Sequence, residues 1–342
     1  MSRFGDFFRM GPYRADHFPA LRAAVGIAVP LLVLLILDRP DLSLYAVFGA
    51  FSGVYGRMSS YRERLFQQSQ AALIMLATVF VALWLGRLAP GPWTLVLLTA
   101  LAAAAVTVLA TLLRFGPVGG FFAIFAFAAI SHSPPSATIW QPLLANAGAS
   151  LLAVLLGLCG LLFRPGDRPW QTAAAVQPID GRHLGMQAVR YLLAVALAGA
   201  VSTLLGLGHS YWAMVSAAVV MMGADRWGRM VRGVHRVVGT FGGLLIFWAL
   251  SQFQMQPWQV LLLLVALQFM AEFLIVRQYG LAMLFITPLA LTMMNLVPGA
   301  TPGSLITDRA LETLLGVLAG LLVAWSIHEP TLRRLKNQVQ RN

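Results

Sequence analysis

Twelve apolar stretches divide this chain into two sets of six, and the second set repeats the first in spacing and in residue detail. The segment "ALRAAVGIAVPLLVLL" returns as "AVRYLLAVALAGAVST", pairing Arg22 with Arg190. Next, "SLYAVFGAFSGVYG" returns as "SYWAMVSAAVVMMG", pairing Ser43 with Ser210, Ala46 with Ala213 and Gly56 with Gly223. The same offset pairs Arg62 with Arg229. Such a repeat predicts an all-α polytopic membrane protein with about twelve transmembrane helices. Six spans return the chain to its starting side, so the two six-helix repeats are expected to be parallel, with a pathway at or near the pseudo-two-fold axis between them.

Composition excludes most other classes. With 59% hydrophobic and 11% charged residues and a mean hydropathy of +0.77, the chain lacks the charged surface, roughly a quarter of all residues, that a soluble domain carries. A formal charge of +12 would suit nucleic acid if it formed one face, but it lies in short loops between apolar spans, so nucleic-acid binding is not expected. Cys159 stands alone, which excludes an intrachain disulfide and a zinc-finger type of site. G-x-S-x-G, HExxH and paired-acid patterns are all missing, so no enzyme activity, cofactor or metal is expected.

The spans are predicted near 20–37, 43–56, 68–86, 92–113, 118–131, 141–163, 186–206, 211–223, 234–252, 257–275, 279–297 and 308–327. They divide the chain into an N-terminal tail 1–19, a first repeat 20–163, a linker 164–185, a second repeat 186–328 and a C-terminal tail 329–342. Alternating the loops between sides leaves Arg39, Arg87 and Arg309 on one side and the other 21 of 24 basic residues opposite. The positive-inside rule then places both termini in the cytoplasm.

Several residues are candidates for function. Arg22 and Arg190 begin equivalent helices, where they either form a cationic mouth for carboxylates or snorkel to the interface as anchors. The short second and eighth spans mark a site in repeat-built transporters, and carry Tyr45 and Phe48 in one copy and Tyr211, Trp212 and Ser216 in the other. Those aromatic rings and hydroxyls suit a flat aromatic acid, or an interfacial belt. Arg232, His235 and Arg236 form a basic motif on the cytoplasmic side that either anchors its helix or gathers anions. Glu272 is expected to pair locally with Arg277 or to bind a coupling proton, and Glu312 to pair with Arg309 three residues earlier. Gly49 with Gly53 and Gly316 with Gly320 have the spacing of close helix contacts.

Three runs then carry a resemblance: "RGVHRVVGTFGGLL" with Arg232, Arg236, Gly239, Thr240 and Gly243; "YGLAMLFITPL" with Tyr279, Thr287 and Pro288; and "DRALETLLGVLAG" with Arg309, Glu312 and Gly316. In that order and spacing they resemble the fusaric acid resistance family, which groups with the aromatic acid exporters and more distantly with the aluminium-activated malate channels. The resemblance implies a bacterial inner-membrane secondary exporter of organic anions, with aromatic carboxylic acids as the expected substrates, often working with a periplasmic adaptor subunit; the chain is expected to depart from longer members in lacking their large cytoplasmic domain. An anion channel and a structural or envelope-assembly protein are the alternatives. Expected partners are small organic anions, membrane lipids, the adaptor and a second copy of the chain.

Overall fold

The computed structural model describes residues 5–13, 15–57, 59–116, 119–133, 138–159, 179–295 and 301–327. Most of the expected linker 164–185 and all of the tail 329–342 lie outside the described residues. Every predicted span contains a helix. They are α1 (His17–Ile36), α2 (Ser43–Ala50, extended by a 3-10 turn Phe51–Val54), α3 (Tyr61–Arg87), α4 (Pro92–Leu112), α5 (Phe121–Ser131) and α6 (Trp140–Leu158) in the first set. The second set comprises α7 (Gly181–Leu204), α8 (Tyr211–Met221), α9 (Arg226–Ser251), α10 (Pro257–Ile275), α11 (Tyr279–Asn295) and α12 (Pro302–Ser326). A single helical turn, Gly5–Phe8, precedes them.

Seven of these helices, α1, α3, α4, α6, α7, α9 and α10, are long and apolar enough to cross a membrane, while α5, α8 and α11 are shorter apolar helices. The chain is therefore an all-helical polytopic membrane protein. Leu73, Leu144, Leu245 and Leu318 present exposed apolar faces suited to lipid, and exposed Trp84, Trp93, Trp140, Trp248 and Trp258 stand at the ends of α3 and α9 and the starts of α4, α6 and α10, where an aromatic belt forms.

Helix starts differ from the hydropathy boundaries for a local reason. α3 begins at Tyr61 because Ser60 and Glu63 form a reciprocal capping box, and α9 begins at Arg226 because the Asp225 carboxylate accepts the Gly228 N–H at 2.6 Å. These first turns are polar, so hydropathy started both helices at least seven residues late. The caps also correct one pairing. Arg64 and Arg229 each stand four residues after their cap, and a β-carbon on Gly56 or Gly223 would collide with them, so Arg229 corresponds to Arg64 and not to Arg62.

Packing pairs recur between the sets. α2 lies on α6 as α8 lies on α12, α3 on α5 as α9 on α11, and α1 on α6 as α7 on α12. Between the sets, α1 packs on α10 and α7 packs on α4. Small residues permit the tightest approaches: a β-carbon on Gly49 would strike the Asn146 carbonyl, and one on Gly316 the Ala213 carbonyl. At the centre sits α8, with all 11 of its residues buried. At 1.5 Å per residue it spans about 16 Å, roughly half the hydrocarbon thickness, so its two ends lie inside the bundle.

Candidate functional site

The length of α8 is followed by a file of polar side chains from neighbouring helices. At one end, the Arg232 guanidinium lies 5.0 Å from the centre of the Tyr279 ring, and the Tyr279 hydroxyl accepts from Arg236 Nη1 at 3.2 Å. Arg236 Nε and Nη2 donate to the Ser216 hydroxyl at 3.4 and 3.3 Å. At the other end, Arg309 lies 4.8 Å over the Trp212 ring, which stacks on His209 at 4.9 Å. Arg236, Tyr211, Tyr279 and Glu312 are the electrostatic neighbours of Arg309. Glu312 Oε1 accepts the His209 backbone N–H at 3.0 Å and the Ser202 hydroxyl at 3.4 Å. His209 Nδ1 stands 2.8 Å from Asp308 Oδ2, and this pair keeps partial access to solvent.

Arg309 is the exceptional member. It is 2% exposed, and its Nε and Nη1 have no hydrogen-bond partner among the described residues. A buried guanidinium with unused donors is costly unless a ligand completes it, because a buried ion loses its hydration. The expected ion pair with Glu312 does not form. Spacing along a helix sets which side chains are neighbours but not which partners they choose, and the His209 N–H and the Ser202 hydroxyl have taken the carboxylate.

Four sequence candidates, Tyr211, Trp212, Ser216 and Arg236, meet in this file, with Arg232 at its end. Tyr211 is buried and donates to Met294 Sδ at 3.1 Å. His235 is turned the other way: its Nε2 is 2.8 Å from the Phe7 carbonyl, so it holds the N-terminal turn. Tyr45 and Phe48 belong to the first set, where the Tyr45 carbonyl accepts from Asn146 and Phe48 packs edge-on against Phe51 and Phe125. Arg22 reaches the Arg57 carbonyl at 3.5 Å, and fully buried Arg190 the Ile327 carbonyl at 3.1 Å, so each binds backbone within its own set. Glu272 does not pair with Arg277, which lies over the Phe273 and Tyr13 rings. Its partner is Arg57, at 3.0 Å, from the opposite set.

Along α2 of the first set, buried Asn146, Ser150 and Gln68 donate to backbone carbonyls, with no arginine at the position of Arg236. Eleven residues after the cap, Arg236 of α9 corresponds to Ala71 of α3, and Ser216 corresponds to Gly49. His209 and Asp308 carried no sequence signal, being single polar residues near predicted loops. An apolar groove of about 440 Å³ between α1 and α6, lined by Val29, Pro30, Leu34, Ala145 and Gly148, has Gln141 as its one polar side chain and offers a carboxylate no cation.

Residues 195–323, which contain this file, match the family described as fusaric acid resistance protein-like. The chain is also 31% identical over 138 residues to the uncharacterized membrane protein YvaC of Bacillus subtilis (strain 168), a match covering 40% of this chain and 22% of that protein. The chain thus spans well under two thirds of that relative's length. No solved structure matches. The helical fold, the three motifs gathered along α8 and α9, and the family match agree: residues 195–323 of this polytopic membrane protein are similar to the fusaric acid resistance protein-like family.

Proposed function

We propose that the chain is a secondary exporter of small organic anions, aromatic carboxylic acids first among them, in the bacterial inner membrane, with the polar file along α8 as its anion path. The observation that carries this reading is Arg309, buried, resting on an indole and holding two unused donors. A guanidinium fork matches a carboxylate in geometry and charge, and the ring beside it offers a flat apolar wall. The family match at residues 195–323 supports membrane transport, and the buried charge in the file, Arg236 and Arg309 against Glu312, favours an anion over a cation.

Cells expressing the protein are expected to accumulate less labelled benzoate than cells without it. Equal accumulation across a panel of aromatic carboxylates would remove this reading, and a steady anion current in planar bilayers would replace the carrier by a channel.

The 21 basic residues that loop alternation assigns to one side support a topology with both termini in the cytoplasm. With Cys159 replaced by alanine, a cysteine at exposed Gln254, between α9 and α10, should react with an impermeant thiol reagent on intact cells. One at exposed Arg182 should not. The reverse pattern would invert the topology.

A further inference from the structure

The two carboxylate oxygens of Glu312 have unlike surroundings. Oε1 holds two donors, the His209 N–H and the Ser202 hydroxyl, whereas Oε2 has no hydrogen-bond partner although the residue is fully buried. Toward the end of the file, Asp308 and His209 form a 2.8 Å pair whose side chains remain 20% and 28% exposed. On the same helix face, three residues before Glu312, lies Arg309 with its unused Nε and Nη1. A buried carboxyl with a vacant oxygen thus stands between a solvent-reaching acid and imidazole pair and a guanidinium with vacant donors.

We propose that Glu312 is a proton-binding site coupled to anion binding at Arg309, so that a proton on the one favours a carboxylate at the other. The proposal rests on Arg309 as the anion site. Its sign follows from charge. Ionised, Glu312 offsets part of the Arg309 field and repels an incoming carboxylate within one helical turn, in surroundings where charges are poorly screened. A proton placed on Oε2 removes both effects, and a bound carboxylate in turn favours the proton by the same factor.

The proton comes from water by way of the Asp308 and His209 pair, and no other bond is made or broken. Around Glu312 stand Ser202 of α7, His209 of the following loop, Tyr211 of α8, and Asp308 and Arg309 of its own helix, while Trp212 of α8, Arg236 of α9 and Tyr279 of α11 face Arg309. The nearest cation is Arg309, and Asp308 is the second acid.

Equilibrium binding of sodium benzoate to the purified full-length protein, from mildly alkaline to mildly acidic buffer, tests the coupling. Wild-type affinity should rise as pH falls, by about tenfold per pH unit at the steepest for one linked proton. Adding benzoate in weak buffer should draw protons from solution. In E312Q the affinity should be independent of pH and the proton uptake should vanish, with an unchanged melting temperature showing that the bundle is intact. A pH slope and proton uptake retained in E312Q overturn the coupling, as does a flat wild-type profile. Absence of wild-type binding, or equal binding by R309K, overturns the anion site itself and the coupling with it. Binding lost in R309K while the slope persists in E312Q overturns only the coupling.

Discussion

Arg309→Lys is expected to leave expression and melting temperature near wild type while lowering carboxylate transport by about 10- to 100-fold. Lysine keeps the positive charge over Trp212 but replaces a planar, multi-donor guanidinium with a single ammonium, and so loses the directed donors on Nε and Nη1. A hydrogen bond to a charged group contributes about 1.5–3 kcal/mol, and each 1.4 kcal/mol is tenfold in affinity, which sets the range. Arg39→Lys is the matching control. Arg39 pairs with Asp41 at 2.8 Å in the exposed α1 to α2 loop, where the guanidinium holds the Asp41 carboxyl below its ordinary range mainly through their hydrogen bond. No transport change is expected there. Uptake measured in proteoliposomes separates the two, and an Arg309→Lys protein with wild-type rates would move anion selection elsewhere in the file.

The contrast between these two arginines shows what could be read from the sequence. All twelve helices were legible because the hydrocarbon core demands long apolar runs whatever the tertiary arrangement. Their polar first turns were not, since the caps of Ser60 and Asp225 extend α3 and α9 beyond the apolar stretch. Within the site, Ser216 and Arg236 were visible because polar groups in an apolar run are costly and stand out. Their partners depend on helices distant in the chain. Arg309 and Glu312, three residues apart, predicted a local ion pair, but tertiary donors from α7 and its loop claimed the acid.

Symmetry misled in a similar way. The repeat made Tyr45 equivalent to Trp212 and suggested a shared path between the copies. Yet the replacement of Arg236 by Ala71, and of Ser216 by Gly49, leaves the arginine and hydroxyl contact along α8 without a counterpart along α2, where Asn146, Ser150 and Gln68 bind backbone carbonyls instead. The first set supplies packing surface for the second: α4 lies on α7, and α5 on α8.

That mechanical role makes Arg57 the second position of large effect. Arg57 follows α2 and reaches across to α10, where Nη1 meets Glu272 Oε2 at 3.0 Å and Nη2 donates to the Glu272 carbonyl at 3.0 Å. It also approaches Asp16 Oδ1 at 3.5 Å, so one guanidinium joins the start of α1, the end of α2 and α10. Asp16 is 2% and Glu272 7% exposed. Arg57→Met should therefore lower the melting temperature of the purified protein by several degrees, because removing one partner of a buried pair costs about 3–5 kcal/mol through the charge left behind. Adding Glu272→Gln to that variant should recover part of the loss, since the amide fills the same space without a charge. If the two substitutions simply add, Glu272 does not depend on Arg57. If Arg57→Met alone melts like the wild type, the α1 to α10 contact holds the helix sets together by apolar packing, and this ion pair is not a structural clasp between them.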